Sequence, residues 1–153
     1  TATAKSIERL NKEGLGDRIG QIISGNYSVI PFEDKRFNAV IDIESLYCNP
    51  FDISRVIIET AINRLLPGGV LFSMTFAEGT WGTTESPEID YHAVQPHSGP
   101  MAGMGFTRFT TRDDIDTLYA VKGATIANVE RQDRILSNGH AIREWVIEVV
   151  KDD

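Results

Sequence analysis

The chain has a single cysteine, Cys48, in 153 residues, so no internal disulfide can close. A lone thiol fits a reducing compartment, and a cytoplasmic protein is the expectation. A basic stripe is also missing. Fifteen Lys and Arg against twenty-two Asp and Glu leave a net charge of -7, the wrong sign for a nucleic-acid partner. No apolar run approaches the ~18 residues of a membrane span and the first residues are polar, so neither a membrane partner nor a signal peptide is expected. Histidine is scarce: His92 and His97 stand five apart with Asp90 nearby, outside any helix or finger that would aim them at one ion, so no metal is expected. Repeats and low-complexity tracts are absent. What remains, 41% hydrophobic and 24% charged, is an ordinary globular composition in a chain long enough to bury a core. The first residue is Thr1 rather than methionine, which reads as processing, tag removal or truncation.

The organising stretch runs from Asn63 to Phe72. Ile53, Val56, Ile57, Ala61, Leu65 and Leu66 recur at helical spacings and predict an amphipathic helix over Asp52 to Leu66. Pro67-Gly68-Gly69 then stops it, because proline cannot continue a helix and glycine can take the left-handed conformation. Val70 to Phe76 reads as a strand buried on both faces. Upstream, Thr1 or Thr3 caps a short helix that Gly14 ends. Ile19 to Ser24 reads as a strand, Pro31 to Lys35 as a loop, and Phe37 to Ile43 as a second strand. Downstream, Ala77 to Phe109 is a long segment rich in glycine, proline, serine and threonine, of the kind that forms binding loops or lids. Thr110 or Thr111 caps a helix whose first turn holds Asp113 and Asp114. Ala124 to Arg131 and Arg143 to Lys151 read as an antiparallel hairpin turned at Ser137-Asn138-Gly139.

Two runs carry a family resemblance. Ile30-Pro31-Phe32-Glu33-Asp34-Lys35-Arg36-Phe37-Asn38-Ala39-Val40-Ile41 resembles the run that leads into the fourth strand of class I S-adenosylmethionine-dependent methyltransferases. Asn63-Arg64-Leu65-Leu66-Pro67-Gly68-Gly69 is similar to the run before their fifth, in the same order and spacing; Trp145 to Lys151 is similar to the closing strand. The resemblance implies an α/β, Rossmann-like methyltransferase sheet that is incomplete, with the first two strands absent and a C-terminal antiparallel hairpin. Residues 1–153 then form one partial domain, the C-terminal two-thirds, with 77–109 as a lid insertion. The glycine-rich cofactor loop and the acidic residue that holds the ribose would precede Thr1. Gly14, Gly16 and Gly20 do not replace that loop, since their spacing is not G-x-G-x-x-G and they follow a helix. In the family the missing strands lie between the third and fourth, so an open sheet edge, and with it a homodimer, is expected.

The resemblance also assigns a site. Ligands of open α/β sheets bind beyond the carboxyl ends of the strands. It places S-adenosylmethionine as cofactor against Asn26, standing where the family usually has aspartate, Tyr27 beside the adenine, and Asp42 and Ile43 on the methionine side. Gly25-Asn26 is equally a plain turn. His92 and His97 are the candidate catalytic bases; Tyr47, Glu78, Trp81, Tyr91 and Arg108 are candidates for holding a small-molecule acceptor. The expected function is methyl transfer in the full-length protein, this chain alone being inactive. The alternatives are a non-catalytic binding or assembly module that keeps the second half of the fold, and a piece of a dehydrogenase, which should also open on a glycine fingerprint.

Overall fold

The computed structural model describes residues 1–26, 29 and 36–153. Helix α1 (Ala2–Lys12) starts where the Thr1 hydroxyl accepts the Ala4 N–H at 3.3 Å and ends before Gly14, whose φ of 74° is left-handed. None of its residues is buried. The strand expected over Ile19 to Ser24 does not form. Apart from a short 3-10 turn at Gly16–Arg18, the described chain from there to Asn26 has no regular structure. A strand exists only through pairing, and no described strand pairs with this segment, although β1 keeps an open edge. The loop expected over Pro31 to Lys35 lies outside the described residues.

The next three elements make one β-α-β step. Strand β1 (Phe37–Ile43) has the expected bounds. Helix α2 (Phe51–Asn63) stops three residues short of the expected Leu66, because Leu65 already pairs with Phe37 as the first rung of β2 (Leu65–Phe76). The register then jumps to Ala39 opposite Val70. Pro67-Gly68-Gly69 is therefore a bulge inside the start of the strand, rather than a turn before it. Gly68 supplies a φ of 71°, and a Cβ on Gly69 would stand 2.8 Å from the Leu66 carbonyl oxygen.

Residues 77–109, read as one long loop, carry three short strands, β3 (Glu88–Asp90), β4 (Ala93–Val94) and β5 (Thr107–Arg108), in a small antiparallel sheet. Strands of two or three residues are too short to print a period on the sequence. Helix α3 (Arg112–Leu118) follows, capped by Thr111 with Asp114 closing a reciprocal capping box. The expected hairpin is present as β6 (Ala124–Ile135) and β7 (Ala141–Lys151). β6 runs four residues past Arg131, where Gln132 to Ile135 still pair with β7.

The main sheet is ordered β1-β2-β7-β6, with β1 parallel to β2 and the remaining neighbours antiparallel. This mixed sheet with its C-terminal hairpin is the α/β class expected. Register puts Val40 beside Leu71 and Asp42 beside Ser73, so these four share one face. On that face Leu71 and Ile147 pack with Ile58 and Ile62 of α2 and Ile115 and Leu118 of α3, all six buried. Each such side chain contributes ~1.5–3 kcal/mol. A second cluster of Phe76, Val94, Met101, Phe109 and Ile142 ties the 77–109 segment to the sheet. On β1's other face Ile41 is 69% and Ile43 60% exposed, and β2 is its only partner among the described strands.

Candidate functional site

A cavity of about 350 Å³ lies against β1. Val40 and Leu71 of the sheet, Ile57 of α2 and Ile23 of the preceding segment make its walls apolar; Asn26, Asp42 and Ser45 add polar groups. Asp42 is the one charged residue among its described lining. The Ser45 hydroxyl donates to Asp42 Oδ1, and the Ser73 hydroxyl donates to Oδ2 at 2.9 Å. Ser73 Oγ lies in turn 2.8 Å from the buried Tyr119 hydroxyl. Burial pushes the Asp42 carboxyl above its ordinary range, and the bonds from Ser45 and Ser73 pull the other way without cancelling it. Asn26 and Asp42 thus meet at one cavity, as expected of them. Ile43 is not among the residues that line it, although Ile41, on the same face of β1, is. Tyr27 lies outside the described residues.

The residues expected in the lid are mostly engaged with one another. Asp114, 2% exposed, accepts from the Tyr91 hydroxyl at 3.0 Å, from His92 Nδ1 at 2.9 Å and from the Thr111 N–H at 2.8 Å. Burial alone would raise its pKa; the bonds from Thr111, His92 and Tyr91 outweigh it and hold the carboxyl below its usual range. Tyr91 stacks on His92 and meets Phe51 edge-on. Arg108, 1% exposed, donates to the Asn49 carbonyl at 3.4 Å, Thr110 Oγ1 at 3.1 Å and Ser54 Oγ at 3.2 Å. Tyr47 packs edge-on against Phe76, and Trp81 stacks on His140 at 4.2 Å. His97 is exposed, its backbone N–H donating to Ser86 Oγ. His92 and Glu78 share a second cavity of about 340 Å³, with Glu88, Thr84, Phe109 and Thr111. Glu78 also pairs with Arg131 at 3.0 Å. His92 lines that cavity and His97 does not, although the His97 N–H bonds Ser86 on its wall.

Glu44 was not singled out by sequence. It follows β1 in a left-handed conformation, φ 49°, held by its N–H to the Met74 carbonyl at 2.8 Å. Burial, then a hydrogen bond and charge repulsion from Glu144, raise its carboxyl from 4.5 to about 7, against a smaller opposing pull from Arg134. Between pH 4.5 and 7 the unfolded chain releases this proton while the folded one keeps it. Stability is then expected to fall as pH rises through that window, by about 1 kcal/mol after allowance for solvent screening. Urea unfolding at pH 5 and 7.5 measures the fall, and Glu144→Gln should reduce it, leaving the part that burial causes. An equal fall in the variant defeats the assignment.

The most informative groups missed were Ser73, Tyr119 and Asp114. Ser73 had a signal. It interrupts the apolar run Val70 to Phe76 at a position where a strand covered on both faces has no solvent to serve, so it needs a buried partner. Tyr119, just past α3, reads only as an apolar helix position.

No protein-family model matches the chain and no curated protein matches its sequence. Solved structures do match. A SAM-dependent methyltransferase from Methanosarcina mazei superposes with a TM-score of 0.76 at 17% identity, over 99% of this chain and 77% of that one. A 1,6-didemethyltoxoflavin-N1-methyltransferase from Burkholderia thailandensis, with bound S-adenosylhomocysteine, matches at 0.64 and 16%, over 93% of this chain and 56% of that one. A [4+2]-cyclase matches at 0.66 and 13%, over 98% and 63%. The chain has the class I methyltransferase fold; a cyclase among the matching structures is the reminder that this fold does not dictate the reaction.

Proposed function

We propose that this chain binds S-adenosylmethionine and carries part of the machinery of methyl transfer to a small-molecule acceptor, in the cytoplasm and as part of a longer protein. The observation that carries the reading is the meeting of Asn26 and Asp42 at one apolar cavity against β1. Bound there, the cofactor would supply an already activated methyl group. The donor set suits it: apolar walls for a flat base, the Asn26 carbonyl as acceptor for a base amino group, and the Asp42 carboxylate for an ammonium. No second carboxylate among the described lining serves a ribose diol.

These residues bind and orient, and the apolar walls exclude water. For an acceptor that must lose a proton, His92 is a better base than His97. A neutral His92 that donates from Nδ1 to Asp114 presents Nε2 as an acceptor at the second cavity. Glu78, on the same cavity, is the acceptor-binding candidate least committed to packing. Tyr47, Trp81, Tyr91 and Arg108 support the segment from behind.

Calorimetric titration with S-adenosylmethionine and S-adenosylhomocysteine is the test. Saturable binding, weakened about tenfold by Asp42→Asn, is the expected result. No heat at millimolar ligand would leave the second reading, a non-catalytic assembly module. The one-sided pairing of β1 and the exposure of Ile41 and Ile43 favour that alternative. Either reading includes a homodimer formed through this edge, and light scattering that gives a monomer mass counts against it.

A further inference from the structure

The one carboxylate among the cavity's described lining is the end of a chain of hydroxyls that runs into the protein. Tyr119 is fully buried, and Ser73 is the one hydrogen-bond partner of its hydroxyl among the described residues. Ser73 spends its own proton on Asp42 Oδ2, so the Tyr119 O–H points at Ser73 Oγ and every bond runs the same way, Tyr119 to Ser73 to Asp42. Ser45 fixes the other carboxylate oxygen. A buried tyrosine hydroxyl costs stability unless it is bonded, and a phenylalanine would fill nearly the same space. Its place opposite a polar strand residue thus calls for an explanation beyond packing.

We propose that Tyr119 is a positioning residue for Asp42, acting through the Ser73 hydroxyl, so that the cavity presents an oriented acceptor to the ammonium or hydroxyl donors of its ligand. The carboxylate keeps acceptor capacity for that ligand beyond its bonds from Ser45 and Ser73, and the hydroxyl chain polarises in the direction that favours the ionised form. The ligand part of this inference rests on the cofactor reading; the hydroxyl chain does not. The charged groups felt at Tyr119 are Asp42 itself and Arg108 of β5. Arg108 stays protonated at any working pH, so it contributes no titration of its own.

The test is the ¹³C carboxyl titration of Asp42 by NMR in the full chain, in wild type, Tyr119→Phe, Ser73→Ala and the double variant. Tyr119→Phe should raise the Asp42 midpoint by about half a unit, which corresponds to about twofold weaker binding of an ammonium ligand at the wild-type midpoint. Ser73→Ala, which deletes one oxygen and leaves the tyrosine, should raise it further. In the Ser73→Ala background the tyrosine substitution should do nothing more. An Asp42 midpoint unmoved by Tyr119→Phe overturns the proposal, and so does a shift of the same size in both backgrounds. S-adenosylhomocysteine titrated into the same proteins separates the two claims. Silence from the wild type strikes the cofactor reading and leaves the carboxyl titration to decide the hydroxyl chain.

Discussion

Asp114→Ala should destabilise the fold by about 4 kcal/mol, the largest effect expected of any one side chain here. Three consequences follow from removing one carboxylate. The Thr111 N–H loses its partner in the capping box, worth ~1 kcal/mol by itself. The Tyr91 hydroxyl and His92 Nδ1 lose the acceptor that fastens residues 77–109 to the start of α3. Finally, a cavity opens beside Ile115 and Leu118, which are fully buried on the same helix. Asp114→Asn should cost roughly half as much, because its carbonyl can still accept from Thr111. Because the folded carboxyl is held below its ordinary range, its contribution is present above the unfolded pKa and fades as pH falls through the depressed one. Urea unfolding of the two variants at pH 7 decides the matter. A loss under 1 kcal/mol for Asp114→Ala would mean that the lid is held by its apolar contacts alone.

Arg108→Ala should come second, at about 3 kcal/mol, with Arg108→Met costing less than half of that. Among the described residues the guanidinium has no carboxylate in direct contact, and its three bonds there end on neutral oxygens. Desolvation pushes its pKa down, the mark of a cation that the fold holds at a cost. Methionine fills most of the volume and removes that penalty, while the Ser54 and Thr110 hydroxyls can turn to other acceptors; Ser54 Oγ already lies 3.1 Å from the Leu46 carbonyl. Alanine leaves a void over the Phe51 ring, which the guanidinium now covers at 5.7 Å. Equal damage from both substitutions would show that the hydrogen bonds, and not the packing, justify a buried arginine. Thermal unfolding followed by near-ultraviolet circular dichroism reads both.

Where burial and period agree, the fold was legible from the sequence. Phe37 to Ile43 announces its strand by length and branching, and Thr111 with Asp114 announces a helix start by cap chemistry. Ile19 to Ser24 has the same apolar look as Phe37 to Ile43 and forms no strand, because strand character is conferred by pairing and none of the described strands pairs with it. Pro67-Gly68-Gly69 was read as a stop between elements, whereas pairing of Leu65 with Phe37 pulls the strand back across it. Asn26 and Asp42 were singled out through resemblance, and both line one cavity. Ser73 and Tyr119 were not. Their roles depend on a contact between residues 46 positions apart, set by how α3 packs on the sheet. A lid must also be fastened, and beyond any part in binding His92 and Arg108 share that work with Asp114, His92 through Nδ1 and Arg108 through Asn49, Ser54 and Thr110.

The order of strands also fixes an order of events. β7 has a neighbour on each side, β2 and β6, and the β6–β7 pairing closes across only five residues, 136 to 140. A contact so short in sequence costs little loop entropy and can form in microseconds. The pairing of β2 with β7 must instead close a loop of more than sixty residues, and β1 joins only after α2 has packed. Amide exchange should therefore record the chain's assembly in reverse: β1 amides open at the lowest free energy, and those of Val146 to Val149 only with global unfolding.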